Sequence, residues 1–181
     1  MSTPEPSYDP RTLREVYPDD AAVDARIAEL RAELTDPPDE VAELMARGEL
    51  VGLLRSADRL DEAREQATAA LDRAREVGTP AQRHLAELRL AHVARWQGDF
   101  GTSNVMFGHL LARATDHGPV VAAFTYQDAG RNFYDQGDYG RAEELFAQAL
   151  AIREELELPA DQIESSRLAL AAARARLGQH G

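Results

Sequence analysis

The stretch Gln97-Gly98-Asp99-Phe100 returns 39 residues later as Gln136-Gly137-Asp138-Tyr139. A fixed period of this length constrains the fold more than any local preference, because it implies one supersecondary unit repeated and stacked. Each copy lies between two runs whose apolar residues keep helical spacing. In the later copy, Ala142, Phe146, Ala149 and Leu150 follow the turn at once.

The 3.6-residue pattern predicts eight helices, short connections and no strand. Residues 1–18, with Pro4, Pro6, Pro10 and Pro18, read as a flexible, mostly extended tail. Val23, Ile27, Leu30 and Leu34 space a helix over 19–34. Thr35-Asp36-Pro37-Pro38 ends it and opens the next, which reaches about Ser56. Asp58-Arg59-Leu60 turns the chain, a helix from about Asp61 ends at Gly78, and Thr79-Pro80 caps another that ends at Gly98. The helix opened by Asp99 runs to the break at His117-Gly118-Pro119; later ones end at Gly137, at Leu158-Pro159 and near Gly178. The fold class expected over 19–178 is all-α, an α-solenoid of antiparallel helix pairs over about 44–78, 84–118 and 123–157, flanked by helices at 19–34 and 160–177.

Aligned at this period, the pairs resemble the tetratricopeptide repeat, with its Gly-Asp-Tyr turn, small Ala, aromatic and Ala-Leu. The third pair carries Tyr126, Ala129-Gly130, Phe133, Gly137-Asp138-Tyr139, Ala142, Phe146 and Ala149-Leu150. The second has Leu90-Ala91, Ala94, Gly98-Asp99-Phe100, Ser103, Phe107 and Leu110-Leu111; the first, lacking the turn glycine, has Leu54, Leu60, Ala63, Ala67 and Ala70-Leu71. The long period and "ALAIREEL" (Ala149 to Leu156) are similar to the kinesin-light-chain variant. Ala63, Ser103 and Ala142 are small enough for close helix approach, and Phe107 and Phe146 are placed to fill the space between pairs.

The resemblance implies a right-handed superhelix whose concave groove is lined by the first helix of each pair and takes a peptide segment of a partner. Carried over in that register, the ligand-facing positions include Arg55, then His92, Arg95 and Trp96, then Gln127, Arg131 and Tyr134; the last helix adds Arg167 and Arg174. Guanidinium forks with aromatic and amide neighbours suit carboxylates, so the expected partner is an acidic peptide or protein. Two other readings stay open. Glu49, Glu87, Asp128 and Glu164 can neutralise the arginine stripe, and Trp96 can seal neighbouring repeats. Leu168, Leu170 and Leu177 on the last helix can instead pair with a second copy, giving a homodimeric assembly protein.

The charges bound the alternatives. Thirty-two acids face 20 basic side chains, all Arg, for a net charge of −12, which opposes binding to nucleic acid or to an anionic membrane. Cysteine is absent, and no apolar run suits a signal peptide or a membrane span, so a cytoplasmic protein is expected. His84 and His92 are eight apart, as are His109 and His117, so neither pair has metal-ligand spacing. No nucleophile motif or phosphate loop occurs. A non-catalytic chain without metal or cofactor is the expectation. The tail carries Glu5, Tyr8 and Asp9, the kind of segment such a groove would hold.

Overall fold

A computed structural model describes residues 6–179, so Pro4 and Glu5 lie outside the described residues. The fold is all-α, a helical repeat. The described helices are α1 (Asp20–Glu33), α2 (Glu40–Ser56), α3 (Leu60–Val77), α4 (Pro80–Trp96), α5 (Phe100–Leu111), α6 (Pro119–Asp135), α7 (Tyr139–Glu155) and α8 (Ala160–Leu177). Within each of two compact units, short connections make neighbours in sequence antiparallel. The units are Met1–Ser7 with Glu15–Asp99, and Tyr8–Arg14 with Phe100–Gly181. The two helices of the pair expected over 84–118 therefore fall in different units.

One backbone device ends the first helix of each pair. Gly98 and Gly137 adopt φ of 73° and 80°, and Asp58 takes the same left-handed conformation at 58° where the first turn lacks glycine. The amide three residues past the last helical residue then closes back on a carbonyl five residues earlier: Arg59 on Leu54 at 2.9 Å, Asp99 on Ala94 at 3.0 Å, Asp138 on Phe133 at 3.0 Å. This satisfies carbonyls that the helix end would leave bare. Helix starts are capped as firmly. Thr79 and Gln82 form a reciprocal capping box, and Asp138 accepts from the Arg141 amide. The start of α2 lies later than expected: Asp39, not Asp36, is its cap, accepting from the Ala42 amide at 2.8 Å. α5 stops at Leu111 and not at the Gly118 break, because Arg113, Ala114 and Asp116 each bond three residues back in tighter turns.

In the first unit, Val23, Ile27 and Leu30 of α1 pack with Leu50, Val51, Leu53 and Leu54 of α2, Ala63 and Ala67 of α3, and Val93 of α4. In the second, Phe146 and Ala142 of α7 pack with Tyr134 of α6 and with Ala169, Leu170 and Ala173 of α8. Gly130 on α6 permits this approach, since a Cβ there would lie 2.6 Å from the Phe146 ring. Leu170 is buried and Leu168 half-buried in the same core, leaving Leu177 as the exposed leucine of the three considered for self-association.

The N-terminal segment departs from the expected extended tail. Asp9 Oδ1 accepts from the amides of Arg11 and Thr12, at 2.7 and 3.1 Å, and builds a turn. Those same bonds hold its carboxyl below the usual aspartate range. Two short strands, β1 (Ser7–Tyr8) and β2 (Glu15–Val16), pair across it. Leu13, only 2% exposed, enters the core of the second unit in a left-handed conformation. Leu13 and Val16, set among prolines and polar residues, carry no helical period, so the sequence pattern does not report the contact.

Gly130→Ala is expected to cost about 1–3 kcal/mol by overpacking against Phe146. Gly108, exposed on α5 with open space around it, behaves oppositely: Gly108→Ala is expected to stabilise by up to about 1 kcal/mol. Urea unfolding of the two variants separates the effects.

Candidate functional site

Arg55 lies in the last turn of α2, while His92, Arg95 and Trp96 share one face of α4 at three- and four-residue spacing. Because α2 and α4 touch, the four side chains meet in the first unit. All are buried: Arg55 is 6% exposed, His92 4%, Arg95 1% and Trp96 7%. The His92 ring stands between two guanidiniums, with Nδ1 at 3.1 Å from Arg55 Nη1 and Nε2 at 2.6 Å from Arg95 Nη2. A neutral imidazole has one acceptor nitrogen, so only one of the two arginines donates to it at a time. Trp96 presents its ring face to the Arg55 guanidinium, 5.2 Å from the ring centroid. The second amino group of Arg55 donates to the Glu15 carboxylate of the N-terminal segment. Trp96 is thus a structural partner of Arg55 as well as a candidate contact.

In the second unit, Gln127, Arg131 and Tyr134 follow one stripe of α6 and are likewise buried. Arg131 donates to Asp128 at 3.1 Å and to Ser165 Oγ at 3.0 Å, and its guanidinium lies 5.0 Å from the centroid of the Tyr8 ring. The Tyr134 hydroxyl donates to the Arg11 carbonyl at 3.2 Å. Gln127 Oε1 accepts from Ser166 Oγ at 2.7 Å. Beside them is a residue that the groove register did not include. Arg153 of α7 donates from Nη1 to the Gln162 carbonyl at 2.7 Å and to Ser166 Oγ at 2.9 Å. Burial pushes its pKa below the ordinary arginine range, and the Arg131 charge adds to the effect, against the pull of Asp128, Tyr8 and Asp161. Arg153 belongs to the second helix of its pair, which the register treats as outer surface; no sequence signal marks it.

Arg167 and Arg174 do not join either cluster. Their side chains are 54% and 61% exposed, and they pair with Glu154 at 2.6 Å and Glu143 at 2.8 Å. Both acids belong to α7, so these two arginines are neutralised on the surface of α7 and α8. Among the described residues no group of three or more His, Asp or Glu could hold a metal ion, and no helix is long and apolar enough to cross a membrane.

Residues 82–155 match the Tetratricopeptide repeat family, so the chain carries tetratricopeptide repeats there. Among solved structures it is similar to the crystal structure of BtubC (BKLC) from P. vanneervenii, with a TM-score of 0.62 and 20% identity over 88% of this chain and 68% of that one. At that identity the likeness concerns the fold alone. No curated protein matches the sequence.

Arg55→Ala breaks an ion pair that is largely withdrawn from water and is expected to cost about 2–4 kcal/mol. Arg174→Ala removes an exposed pair and is expected to stay within about 1 kcal/mol. Thermal unfolding followed by Trp96 fluorescence reads both.

Proposed function

We propose that the chain is a non-catalytic interaction module that holds an extended, acidic segment of a protein partner. Tetratricopeptide repeats suggest protein–protein interaction, which supports the general reading. The observation that carries the finer one is internal: the chain's own Glu15, on a non-helical segment, already delivers a carboxylate to Arg55. In the first unit Arg55, His92, Arg95 and Trp96 supply donors and an aromatic wall to such a segment. In the second, Gln127, Arg131 and Tyr134 do the same, with Tyr8 and the Arg11 backbone occupying them here. Arg167 and Arg174, paired with α7 acids, contribute only if those pairs exchange. The net charge of −12 favours a protein partner over nucleic acid or membrane and fits a cytoplasmic setting.

Titrating the intact chain with acidic peptides and their amide analogues, read by Trp96 fluorescence, tests this. The acid series is expected to bind at least about tenfold more tightly, the equivalent of one charge-assisted hydrogen bond. Arg55→Ala should reduce that preference, while Glu15→Gln should strengthen binding by vacating Arg55. Equal affinity for acid and amide peptides would falsify the reading.

A further inference from the structure

The second unit buries more hydrogen-bond donors than acceptors at one place. Arg153 is 3% exposed, and both groups that receive its protons, the Gln162 carbonyl and the Ser166 hydroxyl, are neutral. Asp128 and Asp161 act on it electrostatically, against the burial that lowers its pKa. A buried guanidinium is normally paired with a carboxylate, because an unmatched charge away from water is costly. Two donors in the same cluster also lack an acceptor: Arg153 Nε and Gln127 Nε2. Both residues bond to the Ser166 hydroxyl, which accepts from Arg153 Nη1 and donates to Gln127 Oε1. Phe124 supplies an apolar wall 5.5 Å from the Arg153 guanidinium carbon. The side facing Arg131 is covered by the ring of Tyr8, which comes from the N-terminal segment and not from a helix. Donors in excess call for a group that only accepts, and an ionised carboxylate is that group among protein side chains.

We infer that the cluster of Arg153, Arg131 and Gln127 is a carboxylate subsite capped by Tyr8, and that an acidic side chain of the partner segment enters it when Tyr8 swings away. This rests on the proposed function and adds to it one particular subsite, one leaving group, and a residue of α7. Tyr8 is then the gate, and Arg153 the charge that discriminates acid from amide.

A carboxylate placed at position 8 of the intact chain serves as a tethered probe. The Tyr8→Glu chain is expected to melt about 4 °C above the Tyr8→Gln chain at neutral pH, the size expected of a charge-assisted contact in a domain of this length. In an Arg153→Met background the gap should shrink to under about 1 °C. Equal midpoints, or a gap that Arg153→Met leaves intact, overturn the inference. Should Arg153→Met fail to fold, NMR titration of the new carboxyl in the Tyr8→Glu chain decides: a midpoint well below the ordinary glutamate value supports the subsite, and an ordinary one removes it. No partner is needed, so failure here leaves the Arg55 reading standing, and a peptide series indifferent to Arg55 leaves these midpoints unaffected.

Discussion

Reversal of the chain by one left-handed residue is the constraint from which the helical pairing follows. At Gly98 and Gly137 the missing Cβ makes that conformation inexpensive, and the closing hydrogen bonds tie off the carbonyls at the end of the helix. Within the second unit, α7 then runs back along α6. Whether the two can touch depends on size: Ala142 is fully buried, and Gly130 leaves room for the Phe146 ring. Asp58 shows that the turn can form without glycine, since aspartate is among the residues that tolerate the left-handed region.

Burying arginine is the less expected consequence. Arg55, Arg95, Arg131 and Arg153 are each at most 6% exposed, in two clusters that belong to different units. The long stems lie among helices while the head groups find carbonyls, hydroxyls, an imidazole and aromatic faces. Such networks constrain geometry tightly, because a guanidinium turned away from its partners would lose both water and hydrogen bonds. The N-terminal segment completes both clusters, with Glu15 in the first unit and Tyr8 in the second. That completion connects the packing of the fold with its proposed role: groups that hold the chain's own segment have the chemistry to hold another.

The helices were legible from periodicity, and Thr79 and Asp138 from their capping chemistry, because those signals are local and repeat along the chain. The site was legible only in part. The register placed Arg55, His92, Arg95, Trp96, Gln127, Arg131 and Tyr134 along a single groove, since residues three and four apart on a helix share a face. The structure gathers the first four in one unit and the other three in the other. It could not tell that Glu143 and Glu154 of α7 would take up Arg174 and Arg167. Nor could it find Arg153, whose role depends on which side of α7 meets α8.

What the amino-acid order determined alone was the succession of helices and the places where the chain turns back. Short-range backbone preference and hydrophobic spacing suffice for that. Tertiary structure decided which charges meet, because ion pairing and burial depend on distances between segments far apart in sequence. Leu13 reaching the core, Glu15 reaching Arg55 and Tyr8 lying over Arg131 are all contacts of that kind, made by a segment whose prolines conceal them.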